Sequence, residues 1–439
     1  MSEHMYQFGK IRKGRYYNAL RTLAHRLCML SVNELPDSDV LESVRDIWEW
    51  EDDAFASIDN FSLILNDLLD FAIFRKSAPS HQEIEKKYNL MDKKVNDDVR
   101  FGGEAQRLSP MYAQLLLRLA KDLQSNEYIL NAYYLLGYAH YINNTMFLAD
   151  YFYQKGIMLQ KNVDPNSLSY IRLLIRQTAP LFRREVFIKI LEFSRKDNIK
   201  DELQNFKKFL GKDLNKVSQT LQKAQHLLEG NKTQLKQDNS ELYDQTLALL
   251  YFRLAEHHMV STFENKHIIE EYYRKAIEIS CNNGKDIARC MKSIEGLFTF
   301  YYISDQYDHK IDKIQGLMHQ LEEHNKHNKM HQVMAHAEIT QGDYYFDQIE
   351  KEPTRIELIT NAFQHYFCAM ELYNNHSSME LYECTRLVIQ RIGELPQQSA
   401  AIFHNDVYTA LGQFKAVGKD SDKIFALIQQ CLTIHGELL

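Results

Sequence analysis

Arginines at helical spacing are among the residues of this sequence best suited to bind another molecule. Arg172 and Arg176 lie four residues apart, and Arg183 and Arg184 follow them closely. A guanidinium binds carboxylates and phosphates through paired hydrogen bonds. The pattern therefore predicts a groove for an acidic peptide or for a nucleic-acid backbone. The alternatives are a solvated helix face, or ion pairs with the acidic segment 34–53.

A second basic cluster lies near the start of the sequence. It consists of Lys10, Arg12, Lys13 and Arg15, and no acidic residue occurs between Lys10 and Arg26. Phosphate contacts from such residues give nucleic-acid binding a steep salt dependence. The basic residues of segments 10–26 and 172–196 together favour an alternative function, in which the protein is a regulator that binds nucleic acid or senses a ligand.

The spacing of the remaining reactive residues does not indicate an enzyme. The Gly-Lys pairs lack the other residues of a phosphate-binding loop, and neither Gly-x-Ser-x-Gly nor His-Glu-x-x-His occurs. The six cysteines form no Cys-x-x-Cys pair, so we expect buried, reduced thiols. We predict no catalytic residue, no metal and no cofactor, although catalytic groups can also meet from distant positions.

Histidines are concentrated between residues 319 and 336. His327 and His331 are four residues apart, which would place them on one helix face with Glu323 as a candidate third metal ligand. Asparagine and lysine residues surround them, and these favour a polar loop or an exposed helix end over a metal site.

Another pair of interest is Arg253 with His257 or His258. An arginine and a histidine about one helical turn apart resemble the ribonuclease motif of HEPN domains, which would imply RNA cleavage. Leu254 stands where that family prefers a polar residue. We therefore favour a structural role for Arg253 within a helix.

The composition predicts long helices to position these side chains. The 439 residues include only 16 glycines and 7 prolines, whereas strand-rich proteins need both residues for many turns. The net charge of −7 gives no overall attraction to nucleic acid or anionic membranes. No apolar stretch is long enough for a membrane span and no secretory signal is recognised, so we expect a cytoplasmic, intracellular protein without membrane contact.

Pairs of these helices share a pattern of small and aromatic residues. In segment 130–160 the pattern consists of Tyr133, Leu136, Gly137, His140, Ala149, Tyr153 and Gly156. A second copy at 251–279 includes Ala255, Tyr273 and Ala276, and a more divergent copy at 337–373 includes Gly342, Tyr345, Ala362, Tyr366 and Ala369. The spacing resembles the tetratricopeptide repeat, in which small residues let two antiparallel helices approach and aromatic residues fill the gap to the next pair.

The resemblance implies an all-α fold, a helical-hairpin α-solenoid with an additional N-terminal helical region. We predict four regions. Residues 1–108 form an unassigned N-terminal helical region, and residues 109–199 form a first set of hairpins. Residues 200–240 form a long helix with a linker, and residues 241–439 form divergent hairpins. Tetratricopeptide proteins bind peptides or partner subunits on a concave surface, so the resemblance implies a scaffold or adaptor for a protein or peptide. The binding residues of the clearest copy would be Asn131, Tyr134, Tyr138 and Tyr141.

Overall fold

The structure of the protein is a computed structural model that describes residues 61–101, 103–143, 145–159, 164–179, 200–262, 265–283, 286–304, 310–328, 330–374 and 378–399. Within these segments all regular secondary structure is helical, which confirms the all-α prediction. None of the described helices is both long enough and apolar enough to cross a lipid bilayer.

The chain divides into two compact units. The described residues of unit 1 fall within Met1–Arg100, Ala105–Arg183 and Gln219–Leu235, and those of unit 2 fall within Phe101–Glu104, Arg184–Ser218 and Lys236–Leu439. Within each unit, helices adjacent in sequence pack against each other, as in a helical-hairpin α-solenoid.

The described residues up to 230 contain seven helices. They are α1 (Phe61–Lys76), α2 (His81–Phe101), α3 (Gly103–Asp122), α4 (Asn126–Ile142), α5 (Met146–Met158), α6 (Leu168–Arg176) and α7 (Lys200–Gly230). The long helix predicted within residues 200–240 is α7. Its buried residues Leu214, Val217, Leu221, Ala224 and Leu228 recur every three or four positions, which gives the helix one apolar face.

The helices that follow are α8 (Lys232–Ser261), α9 (Lys266–Glu278), α10 (Ile287–Ile303), α11 (Lys310–Asn328), α12 (His331–Ile349), α13 (Ile356–Asn374) and α14 (Ser378–Gly393). A π-helical turn, Ile279–Asn283, continues α9. The sequence predicted a linker after the long helix, up to residue 240, but α8 already begins at Lys232 and is interrupted only at Asn239, which has φ −160° and ψ 94°. The Asn239 side chain accepts a hydrogen bond from the Leu242 amide at 2.9 Å and so caps the second part of this helix.

The sequence of segment 75–108 allows a loop-flanked helix or a linker, and the structure contains the helix: α2 follows the non-helical residues 77–80, and α3 begins at Gly103. Ser80 and Glu83 form a reciprocal capping box at the start of α2, because the Ser80 amide donates to Glu83 at 2.8 Å and the Glu83 amide donates to the Ser80 hydroxyl at 3.4 Å. Tyr88, Val95 and Val99 on this helix are at most 2% exposed. The many charged residues of α2 obscured this narrow apolar face in the sequence.

Pro110 lies inside α3, although proline is favoured in the first turn of a helix, and its position alone would predict a helix that begins there. A proline inside a helix cannot donate to the carbonyl group four residues earlier, here that of Gln106. The backbone carbonyl oxygen of Gln106 instead accepts hydrogen bonds from the Ser109 hydroxyl at 2.6 Å and from the side-chain amide of Asn143 at 2.8 Å. These two bonds replace the missing one, and the helix therefore continues through the proline.

A glycine facing a tyrosine ring recurs in three helix pairs. A Cβ atom on Gly137 of α4 would overlap the ring of Tyr153 on α5, and a Cβ atom on Gly342 of α12 would lie 2.6 Å from the Tyr366 ring on α13. These contacts confirm the small-and-aromatic packing predicted for the first and third copies. In the second copy Tyr273 of α9 faces Gly296 on the following helix, α10.

Replacing Gly137 with alanine tests this packing. Tyr153 is fully buried and its ring cannot move away cheaply, so we expect a loss of about 1–3 kcal/mol in the free energy of unfolding. The matched control is Gly316→Ala within α11, where an added Cβ atom meets nothing within 4 Å. Because alanine favours a helix over glycine, this control should gain up to about 1 kcal/mol. Equal effects of both changes in urea unfolding would contradict the packing.

Candidate functional site

Two groups of residues singled out in the sequence meet in unit 1. The guanidinium carbon of Arg176 on α6 lies 3.8 Å from the ring centre of Tyr138 on α4, and that of Arg172 lies 4.3 Å from the ring centre of Tyr134. The Arg176 Nε atom also donates to the Tyr134 hydroxyl at 3.4 Å. We call these four residues the arginine–tyrosine cluster.

Helix periodicity explains why these side chains converge. Tyr134 and Tyr138 are one turn apart on α4, and Arg172 and Arg176 are one turn apart on α6, so each pair shares one helix face. Ser167 starts α6 by accepting a hydrogen bond from the Tyr170 amide at 3.2 Å. The two helices pack against each other and bring the two faces into contact.

The cluster buries positive charge. Arg176 is 3% exposed and Tyr134 is 5% exposed, whereas Arg172 is half-buried. Among the described residues, no carboxylate lies within ion-pair distance of either arginine. Burying an ion without a counter-charge is costly, because the protein interior replaces water poorly as a solvent for charge. The cluster is therefore electrostatically suited to an added anion.

One acidic residue influences the cluster from a distance. Asp92 on α2 accepts hydrogen bonds from Asn131 at 2.6 Å and from Asn96 at 3.1 Å. Burial raises the pKa of Asp92, and the hydrogen bond from Asn131 and the charge of Arg172 oppose this increase only in part. Asp92 thus offsets some of the Arg172 charge without forming an ion pair.

The phenol of Tyr134 responds most strongly to the buried charge. Burial alone raises its pKa, but the positive charges of Arg172 and Arg176 outweigh that effect and lower the pKa to about 7. Burial lowers the pKa of Arg176, but the surrounding phenols, Tyr134 first, raise it overall and keep the guanidinium protonated. The cluster therefore supplies its own partial counter-charge near neutral pH.

The other residues predicted to bind a partner lie beside the cluster or outside the described residues. Asn131 is half-buried and donates to Tyr88 at 3.0 Å as well as to Asp92, so its amide group serves contacts between α2 and α4. Tyr141 is half-buried and stacks on Tyr138 with 6.4 Å between ring centres. The predicted residues Lys10, Arg12, Lys13, Arg15, Arg183 and Arg184 lie outside the described residues.

Arg253 does not present its charge at a surface, although the sequence resembles a ribonuclease motif there. It is 2% exposed, and its guanidinium forms an ion pair with Glu256. His258 bonds Thr262 at 2.7 Å and stacks on Tyr272 with 5.5 Å between ring centres. These contacts give Arg253 and His258 structural roles in unit 2.

The alternative in which His327 and His331 share a helix face is wrong. His327 is on α11 and His331 begins α12, so the two residues do not share a helix face. His336 instead lies 3.2 Å from Glu295. The helix break near residue 330 separates two positions that the sequence spacing alone placed one turn apart.

Two of the cysteines also differ from the expectation of separate, reduced thiols. Cys281 and Cys290 form a disulfide, and His324 lies beside it with its Nε2 atom 3.8 Å from Cys290 Sγ. Cys368 is a free thiol. Burial first, and then the charges of Glu338 and Glu371, raise the pKa of Cys368 to about 11, so this thiol is a weak nucleophile.

Comparison with known proteins identifies no relative. No family model matches the sequence, no curated protein is similar enough to match it, and no solved structure matches it.

Proposed function

We propose that this chain is a tetratricopeptide-like binding protein that acts as a scaffold or adaptor and takes an acidic peptide segment of a partner protein in unit 1. The arginine–tyrosine cluster supplies the binding charge. The observation that carries the proposal is the nearly buried guanidinium of Arg176, which contacts two tyrosine rings but has no ion-paired carboxylate among the described residues.

Alternate helices form the surface on which the peptide would lie. Asp92 of α2 contacts Asn131 of α4, and Tyr134 of α4 contacts Arg172 of α6. In the family that the repeats resemble, the first helix of each hairpin lines the peptide-binding surface. The helices α2, α4 and α6 correspond to these first helices, and their polar and aromatic side chains follow one another in the same order.

The chemistry of the cluster favours a carboxylate. Arginine binds carboxylates through two parallel hydrogen bonds, and a guanidinium stacked on an aromatic ring loses little freedom on binding. Arg172 is half-buried and would make the first contact. A peptide carboxylate would then supply the counter-charge that the Tyr134 phenolate supplies only in part.

A peptide is favoured over a nucleic acid because of the charges around the cluster. The chain has a net charge of −7, and Asp92 lies close enough to Arg172 for the two charges to interact. A nucleic-acid backbone needs a long row of cations, because its affinity comes from many phosphate contacts. Two arginines beside an acid are better matched to one or two carboxylates.

Fluorescence anisotropy with a labelled hexaglutamate peptide tests the proposal. We expect binding to the full chain and a loss of roughly tenfold or more in affinity for Arg172→Gln, since hydrogen bonds to charged groups contribute about 1.5–3 kcal/mol. The matched control is Lys155→Gln, which removes a cation 5.3 Å from the exposed Tyr151 ring in the same unit. This control should bind the peptide as the unchanged protein does.

Two further probes separate the alternatives. A labelled hexaglutamine peptide should not bind, because it has the length of the first probe without its charge. A labelled oligothymidine measures the nucleic-acid alternative. Binding of oligothymidine without hexaglutamate, or equal hexaglutamate binding by Arg172→Gln and Lys155→Gln, would overturn the proposed function.

A further inference from the structure

Three metal-binding side chains meet in unit 2, two of them nine residues apart and the third 34 residues further along the chain. Cys281 lies in the π-helical turn after α9, Cys290 on α10 and His324 on α11. One ligand atom from each residue lies within 4.8 Å of the others. Cys290 is fully buried, and Cys281 and His324 are half-buried.

Local structure accounts for this meeting. The π-helical turn moves Cys281 off the regular path of α9, and such turns are frequent at functional sites. Asp286 caps the start of α10 by accepting a hydrogen bond from the Arg289 amide at 3.1 Å, and this fixes the first turn of the helix that carries Cys290. The Cα atoms of the two cysteines are 5.5 Å apart.

We propose that Cys281, Cys290 and His324 form a redox-controlled metal site. When both cysteines are reduced, their thiolates and His324 Nε2 bind a zinc ion. When the cysteines are oxidised, the ion is released and the disulfide forms. This site is independent of the peptide-binding function proposed for unit 1.

The donor set and the distances fit zinc. Two thiolates and an imidazole are preferred ligands of Zn²⁺, and three protein ligands leave the fourth tetrahedral position to water or to another group. Zinc holds sulfur at about 2.3 Å and nitrogen at about 2.0 Å, so its ligands lie about 3.5–4 Å apart. The separation of 3.8 Å between His324 Nε2 and Cys290 Sγ already has this value. Rotation of the cysteine side chains would part the two sulfurs by about 2 Å.

The surroundings make a bare pair of thiolates unfavourable. Cys290 belongs to an apolar cluster with Met291, Ile294 and Leu321, each fully buried. A buried negative charge needs a counter-charge, which a bound Zn²⁺ ion supplies and a disulfide makes unnecessary. Each of the two states therefore removes the charge that the apolar surroundings disfavour.

The change between the states balances with hydrogen peroxide as the oxidant. The two thiolates each give up one electron and the S–S bond forms, while the O–O bond of the peroxide breaks. Two protons from solvent complete two water molecules, and Zn²⁺ leaves with its charge unchanged. A dithiol reductant reverses the change by thiol–disulfide exchange, which yields the two cysteine thiols and the oxidised reductant.

Cobalt substitution tests the site in the full chain. The protein is reduced with a phosphine, the phosphine is removed, and Co²⁺ alone is added under nitrogen. We expect binding of one Co²⁺ per chain, with the thiolate-to-cobalt charge-transfer absorption and the intense visible bands of a tetrahedral ion, and displacement of the cobalt by Zn²⁺. Hydrogen peroxide should then abolish these bands and restore the disulfide, detected by mass spectrometry after digestion.

Variants assign the ligands. Cys281→Ser should lose the charge-transfer band, and His324→Gln should weaken Co²⁺ binding at least tenfold, since loss of a ligand costs more than the second-shell changes that already have this effect. Cys368→Ser, which removes a free cysteine elsewhere in the unit, should bind as the unchanged protein does. Circular dichroism shows whether each variant is folded. The proposal is wrong if the reduced, folded protein gives no thiolate charge-transfer band, or if Cys281→Ser and Cys368→Ser give the same spectrum.

Discussion

Replacing Glu256 with alanine is expected to lower the free energy of unfolding by about 3–5 kcal/mol. Its carboxylate forms an ion pair with Arg253, and both side chains are at most 9% exposed. The replacement removes this carboxylate and leaves the guanidinium buried. The attraction between the two charges then no longer offsets the free energy that the guanidinium lost on leaving water. Urea unfolding at neutral pH measures the loss.

An exposed ion pair of the same kind provides the control. Glu271 and Lys275 are four residues apart on α9, and their side chains are 47% and 42% exposed. Glu271→Ala should change the free energy of unfolding far less than Glu256→Ala, because water already solvates both charges. Similar losses for Glu256→Ala and Glu271→Ala would contradict the buried ion pair.

A double replacement separates the charge from the packing. Arg253→Met combined with Glu256→Leu removes both charges and retains apolar volume, so it should cost much less than Glu256→Ala alone. If the double variant is no more stable than the single one, the loss comes from packing and not from an uncompensated charge.

The stability contribution of Tyr134 is expected to rise between pH 7 and pH 10. The pKa of this phenol is about 7 in the folded protein and about 10 in an unfolded chain. Below pH 7 both states hold the proton, and ionisation contributes nothing. Between the two values only the folded state has released it, so folding becomes more favourable as the pH rises, by up to about 4 kcal/mol in full. The contribution is lost again as the pH falls through 7.

The measurement compares the unchanged protein with Tyr134→Phe across this pH range. The difference in their free energies of unfolding should grow with pH, and a tyrosinate absorbance that Tyr134→Phe lacks should develop near pH 7. Tyr133→Phe is the matched control, because burial raises the pKa of Tyr133. The difference in free energy of unfolding between the unchanged protein and Tyr133→Phe should therefore stay constant over the same pH range. A constant difference for Tyr134→Phe as well would show that the two arginines do not lower the pKa of this phenol.

Much of the fold was predictable because glycines and aromatic residues act locally. Gly137 and Tyr153 in the first copy pack as their spacing indicates, and Gly342 and Tyr366 do the same in the copy that resembled the family least. The third copy has a longer intervening loop, but the loop does not change the face on which either residue lies. The packing of α2 could not be predicted because its buried residues are few and its charged residues many, although Ser80 and Glu83 mark its start.

The candidate sites were predictable only in part. The spacing of Arg172 and Arg176 placed them on one helix face, but their burial depends on α4, which is distant in the sequence. Arginines on a solvated helix face and arginines in a buried cluster therefore have the same spacing in the sequence. Cys281, Cys290 and His324 have no motif spacing, since a π-helical turn and the contact of α10 with α11 bring them together. No repeating spacing in the sequence indicates that these three side chains lie close together.

The packing of neighbouring helices also has a consequence for folding kinetics. The pairs α4 with α5 and α12 with α13 are consecutive in the chain and joined by short connections, so their contacts close small loops. Proteins dominated by such local contacts fold fast, because little chain entropy is lost before the first contacts form. When the tyrosine and the glycine that pack together belong to the same hairpin, that hairpin can form early. Each folded hairpin then presents an apolar face against which the next hairpin can pack.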